Sequence, residues 1–262
     1  MAGAAGAYAA ADEGAGAGGG AGPTVAGRRV VVAGGTSGIG EATARAFVAR
    51  GAEVLVTGRD GGRLEASIAR SGARGVVADA STAEGRAALL ERAGERVDHL
   101  VLALSGASGA GPFADLDLGA LRTAFEGKLW PQLEVLQALL PRLAQDGSVV
   151  LVTAASARAA LPGTVGLAAI NGALEAAVAP LSAELAPRRV NAVSPGVIDT
   201  PWWDNQPAAA KEAAHAAAAQ ATPVGAVGSA ADVAEAIVLA ATNPYITGAV
   251  LPVDGGYTLP RG

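Results

Sequence analysis

The chain has 262 residues, a formal charge of −5 at neutral pH, no cysteine, two histidines and three tyrosines. Without cysteine there is no disulfide frame, thiolate nucleophile or thiolate metal site, and histidines at 99 and 215 are too far apart in sequence for a dense imidazole cluster. The mild acidity argues against nucleic acid as a partner, since a phosphate-binding face needs clustered basic residues.

Residues 1–26 are an Ala/Gly-rich tract with Asp12 and Glu13. They lack the basic leader and Leu-rich segment of a secretory signal, so a disordered tail and a cytoplasmic protein are expected. Apolar runs elsewhere are short and broken by Gly, Pro or charge, which predicts no membrane span and no membrane partner. About a quarter of the chain is alanine. Alanine buries little area, so the core must come from Val, Leu and Ile runs.

From residue 27 to 262 a single domain is expected. Arg29–Ala33 reads as a buried strand, and Glu41–Arg50 as a helix ended by Gly51. Val54–Val56 is a second strand, followed by a helix through Leu64 and Ile68. Val76–Ala78 is a third strand, with a helix over about 82–93, and His99–Leu104 a fourth. A long helical region spans about 115–143, and Ser148–Val152 is a fifth strand. A helix over about 166–185 leads to a sixth strand, Arg189–Val193. An Ala-rich helix at about 208–220 lies in a variable lid of about 201–227. A helix capped at Ser229 and a last strand near 249–253 complete the chain. Strand and helix alternate, and the strands are continuous rather than alternating in apolarity. That pattern predicts an α/β fold: one doubly wound, Rossmann-type parallel sheet of about seven strands with helices on both faces.

Gly34, Thr36, Ser37, Gly38, Ile39 and Gly40 lie between the first strand and its helix. Glycines there let the backbone turn sharply and approach a pyrophosphate seated on the helix N-terminus. An acidic residue at the tip of the second strand would bond ribose hydroxyls and favour NAD. Here Gly58 holds that tip and Arg59 follows, so a guanidinium can meet a 2′-phosphate, with Ser37 adding a hydroxyl. NADP(H) is therefore expected over NAD(H), against the plainer alternative that Arg59 is a loop charge neutralised by Asp60.

The loop Gly34-x-x-x-Gly38-x-Gly40 resembles that of the short-chain dehydrogenase/reductase family. The resemblance extends to Asp79 after the third strand, to Asn191–Thr200, to Ile246-Thr247-Gly248 and to Val253–Gly256, covering about 27–259. It implies that Asp79 contacts adenine. It also implies that the segment containing Pro195, Gly196, Ile198 and Thr200 holds the nicotinamide carboxamide, and that the chain forms a homotetramer or homodimer through its two long helices.

The same resemblance implies an Asn, Ser, Tyr, Lys catalytic set, and this chain departs from it at every position. Lys128 stands at the Asn position, Ala154 at the serine, Leu167 at the tyrosine and Asn171 at the lysine. An ammonium and an amide have in effect exchanged helices. Lys128 is then a candidate to restore positive charge near the cofactor ribose, with Asn171 as its hydrogen-bond partner. It is equally a candidate proton donor, because burial brings a lysine pKa toward neutrality. The plain alternative is a lysine whose head reaches solvent.

Thr153, Ser156 and Ser105 are weaker donors at strand ends, where small polar residues usually bond backbone. His99 is expected to be structural and His215 a solvated helix residue. Trp202 and Trp203, with Trp130 beside Lys128 and Leu167 opposite, are expected to wall a small-molecule substrate pocket. No metal site is expected. The leading functional expectation is an NADPH-dependent reductase with a non-standard proton donor. A non-redox enzyme (isomerase, dehydratase or cyclase) and a cofactor-binding pseudoenzyme remain alternatives, because function lives in the site and not in the fold.

Overall fold

The computed structural model describes residues 25–106 and 109–259. The tail expected over 1–26 lies, up to residue 24, outside the described residues.

The sheet is built from β1 (Arg29–Ala33), β2 (Glu53–Gly58), β3 (Arg74–Val77), β4 (Val97–Leu102), β5 (Leu143–Val152), β6 (Arg189–Pro195) and β9 (Val250–Val253). Their order is β3-β2-β1-β4-β5-β6-β9, and every neighbouring pair is parallel. Seven parallel strands with helices around them make the expected Rossmann-like α/β fold. The central strands are buried on both faces, as their unbroken Val and Leu runs require. A two-residue ladder of β7 (Ile198–Asp199) and β8 (Gly228–Ser229) stands apart and closes the base of the lid.

The helices are α1 (Gly38–Val48), α2 (Gly61–Ser71), α3 (Ala83–Ala93), α4 (Leu118–Leu139), α5 (Val165–Glu184), α6 (Ala208–Ala221) and α7 (Ala230–Thr242). The capping chemistry is local and readable. Asp60, Thr82 and Asp117 accept from first-turn amides, and Ser229 forms a reciprocal capping box with Asp232. The helix expected to reach residue 143 stops at Leu139. Leu140–Arg142 tightens into a 3-10 turn around Pro141, and β5 then starts at Leu143, five residues earlier than its apolar run suggests.

Among the described residues one helix, α5, has the dimensions of a membrane span by length and composition. Val165–Glu184 is long and apolar enough to cross a bilayer. In the fold it instead buries Gly166, Ile170, Asn171, Leu174 and Val178 against the sheet.

His99 is structural, as expected. It is buried, stacks on Phe47 and bonds Ser148 through Nδ1 at 2.9 Å. Ser148 donates its own proton to the Ala241 carbonyl, so the imidazole Nδ1–H is the donor. Burial pushes the imidazole pKa down from 6.5 to about 4.

Candidate functional site

The strand order reverses between β1 and β4, and a crevice opens there at the carboxyl ends of the strands. It holds two adjoining cavities, of about 690 Å3 over β1–β3 and about 330 Å3 over β5–β6, whose walls share Ser105, Gly106, Ala124 and Trp202.

The larger cavity brings together Gly34, Thr36, Ser37, Arg59 and Asp79 in its wall. A Cβ on Gly34, whose φ is +86°, would stand 2.7 Å from the Ala103 carbonyl oxygen, and one on Gly40 would stand 2.1 Å from that of Gly34. Only glycine lets this turn close onto the start of α1. Ser37 caps α1 without a side-chain bond to its amides. Its Oγ accepts from Arg63 Nη2 at 3.3 Å instead.

A Cβ on Gly58 would stand 2.1 Å from Thr36 Cγ2, so the strand tip has no room for the acidic side chain that NAD recognition uses. Asp60 is committed to capping α2, its Oδ1 accepting from Arg63 N at 2.8 Å. Both Arg59 and Arg63 line the cleft. Asp79 accepts from Ser81 Oγ at 2.6 Å and Ser81 N at 3.0 Å, and these bonds, with the charge of Arg59, hold its carboxyl below the usual range.

The smaller cavity is walled by Ile39, Lys128, Thr153, Ser156, Leu167, Asn171, Pro195, Gly196, Ile198, Thr200, Trp202 and Trp203, among others. Gly38 lies beside it, where a Cβ would stand 3.3 Å from Thr200 Cβ. Ala154 and Leu167 also line it, and neither side chain carries a transferable proton.

Lys128 Nζ donates to the Thr153 carbonyl at 3.3 Å. Burial among apolar walls brings its pKa down from 10.5 to about 8, with the Glu175 carboxylate acting in the opposite direction. The expected Lys128–Asn171 hydrogen bond is not made. Asn171 Nδ2 donates to Ser156 Oγ at 3.2 Å and to the Leu167 carbonyl at 2.9 Å, which holds the amide against its own helix. Asn171 Oδ1 is buried with no protein partner. The Thr153 hydroxyl is buried and donates to Glu175 Oε1 at 2.9 Å, so it is already committed.

Two other placements are corrections. Trp130 is 46% exposed and walls neither cavity. Two residues beyond Lys128 on a helix is about 200° of rotation, which turns the indole away from the site. His215 is only partly exposed: it packs edge-on to Trp203 at 5.1 Å, and its Nε2 is buried without a protein partner. Trp203 Nε1 donates to the Ile198 carbonyl at 2.9 Å, and Lys211 bridges Asp199 and Asp204, so residues 203–211 are tied to β7.

Three residues that the sequence reading passed over belong to the site. Arg63 stands four positions after Arg59 at the first turn of α2, and Glu175 one turn beyond Asn171 on α5. Helical spacing signals Glu175, whereas Arg59 lies outside α2 and gives Arg63 no such signal. Tyr257 lines the smaller cavity from the C-terminal turn, where Asp254 accepts from Gly256 N, Thr258 N and Thr258 Oγ1. No local sequence pattern announces that placement.

A sequence model of the family described as enoyl-(acyl carrier protein) reductase matches residues 33–258. Cis-4-hydroxycyclohexanecarboxylate dehydrogenase of Sinomonas cyclohexanicum is 34% identical over 254 residues, covering 90% of this chain and 99% of the relative. A short-chain dehydrogenase/reductase of Caenorhabditis elegans, solved with cofactor, superposes with a TM-score of 0.84 at 28% identity, over 92% of this chain and 98% of the other. This chain belongs to the short-chain dehydrogenase/reductase family. A small-chain dehydrogenase solved in complex with NADPH superposes with a TM-score of 0.78 at 33% identity, over 89% of this chain and all of the other. Membership in this family of oxidoreductases fits a crevice lined by a glycine turn at the carboxyl ends of the strands.

Proposed function

We propose that this short-chain dehydrogenase/reductase is an NADP(H)-dependent reductase of a small, largely apolar organic substrate, acting in the cytoplasm, with Lys128 as the proton donor. The observation that carries the reading is the position of Lys128. Its buried ammonium lines the same cavity as Pro195–Thr200, continuous with the glycine-lined cleft.

The residues present fit the cofactor. The turn from Gly34 to Gly40 admits a pyrophosphate, Arg59, Arg63 and Ser37 suit a 2′-phosphate, and Asp79 suits the adenine end. Pro195, Gly196, Ile198 and Thr200 suit the carboxamide, and the unpartnered Asn171 Oδ1 suits a ribose hydroxyl donor. When bound, the nicotinamide supplies a hydride.

The chain's own part is to hold the substrate between Leu167, Trp202 and Trp203 and to deliver a proton where negative charge develops. With alanine at 154 and leucine at 167, the Lys128 ammonium is the strongest acid in the cavity wall. It gives its proton to the substrate and regains one from solvent. An acceptor that needs little proton assistance, an activated alkene or an imine, suits this arrangement as well as a ketone does. The exposed small-residue face of α5, with Ala169, Ala176 and Ala179, favours self-association as a dimer or tetramer.

Single-turnover NADPH absorbance with a panel of ketones, imines and enones tests the reading. Oxidation with at least one class is expected. Tight NADPH binding with no oxidation by any class would instead mark a binding protein or a non-redox enzyme.

A further inference from the structure

Beneath the wall of the smaller cavity lies a charged group that no step above uses. Glu175 on α5 is 10% exposed. Its Oε1 accepts from Thr153 Oγ1 at 2.9 Å and from Ser194 Oγ at 2.8 Å, and its Oε2 faces Arg158 Nε at 3.3 Å. Thr153 joins this cluster to the site through its other polar end, because its carbonyl accepts from Lys128 Nζ. A single residue at the end of β5 thus touches the ammonium on one side and the carboxylate on the other.

We propose that Glu175 and Arg158 form a charge-setting pair for Lys128: Glu175 is a positioning residue that keeps the ammonium charged in its apolar cavity, and Arg158 limits how strongly it does so. The proposal rests on the reading of Lys128 as the proton donor.

The physical argument is one of opposing effects. An ammonium enclosed by apolar walls favours the neutral amine, and an opposite charge nearby restores the cation. Glu175 is the charge that offsets burial at Lys128. Two hydroxyls and a guanidinium already satisfy its oxygens, so its charge acts through space and through the Thr153 peptide, not by direct contact. Arg158 is about four-tenths exposed, pairs with Glu175, and also acts on the Asp254 carboxylate of the C-terminal turn. Among the described residues Tyr257 faces Lys128's cavity from the C-terminal turn, and Glu126, exposed on α4, lines the larger cavity instead. Too strong a counter-charge would leave the lysine a poor acid, and too weak a one would leave it unprotonated. A carboxylate shared with an arginine lies between those limits.

The chain has only two lysines, which makes the test direct. The full-length protein carrying ε-13C-lysine gives two side-chain signals, and Lys211→Arg assigns them. Titration of the Lys128 signal is expected to show its midpoint falling by at least about half a pH unit in Glu175→Gln and rising by a comparable amount in Arg158→Met. Glu175→Asp is expected to recover part of the loss. A midpoint that stays within about 0.2 pH unit of wild type in both variants, or moves the same way in both, overturns the proposal. Should Glu175→Gln fail to fold, Arg158→Met decides alone: a midpoint that rises supports the pair, and one that stays or falls refutes it. Single-turnover rates on the same variants separate the two claims. If the resonance moves while the rate profile does not, the charge pair stands and the donor role of Lys128 fails.

Discussion

Replacing Lys128 by methionine is expected to make the protein more stable and less active at once. The folded protein holds this ammonium with a pKa of about 8 against 10.5 for an unhindered lysine. Below pH 8 the group is charged in both folded and unfolded chains, so folding bears the whole cost of burying it. Between pH 8 and 10.5 the folded state sheds the proton first and the cost is relieved, so stability rises with pH across that window. The displacement corresponds to about 3 kcal/mol at 1.36 kcal/mol per tenfold. Because solvent reaches part of the side chain, about half of that is the realistic figure.

Methionine fills the volume without a charge, and Lys128→Met is expected to raise the melting temperature at pH 7 by several degrees, at about 2–4 °C per kcal/mol for a chain of this size. Urea midpoints measured from pH 7 to 10.5 are expected to climb for wild type and to stay flat for the variant. In the same variant, turnover is expected to fall about 100-fold or more, the usual worth of a positioned acid. A variant less stable than wild type at pH 7, with wild type showing no rise toward pH 10, would refute the premise that Lys128 is a charge held at a cost.

Two further outcomes follow from the cofactor cleft and the core. Arg59→Ala and Arg63→Ala are each expected to weaken NADPH binding about ten-fold while leaving NADH within about two-fold, as read by fluorescence titration; equal losses for both cofactors would contradict a 2′-phosphate role. His99, with a folded pKa of about 4 against 6.5 unfolded, contributes stability that is present above 6.5 and is lost as pH falls toward 4. About 2 kcal/mol is expected to be gone at pH 5, seen as a lower urea midpoint than at pH 7, and His99→Gln is expected to flatten that slope.

Most of the architecture was legible because each strand carries its burial in its own residues. The runs Arg29–Ala33 and Arg189–Val193 are apolar enough to sit between two helical layers, and both form strands with those starting points. The glycine turn was legible for a related reason: its backbone geometry admits no other residue, so the constraint is written at single positions.

The cofactor cleft was half legible. Arg59 is announced by the strand before it, whereas Arg63 belongs to the site only because the first turn of α2 brings its guanidinium back over Ser37. The identities at 128, 154, 167 and 171 are visible in the sequence, but their contacts are not. Asn171 turns to its own helix and Ser156, and Lys128 turns to Thr153, so an expected pair became two separate bonds. Trp130 adjoins Lys128 in sequence, yet the helix carries it to the opposite side. Glu175 is readable one helical turn beyond Asn171, whereas Tyr257 enters the site through packing between elements far apart in the chain, which no local pattern records.

The central claim is that Lys128 supplies the proton for hydride transfer in this site. The most direct measurement is the pH dependence of the single-turnover rate of NADPH oxidation, in wild type and in Lys128→Met, with whichever acceptor class the enzyme reduces. The wild-type rate is predicted to fall as pH rises through about 8, where the ammonium is lost, and the variant is predicted to be slow with no inflection there. A wild-type profile that is flat through pH 8, or a variant that keeps the wild-type rate and shape, would contradict the account.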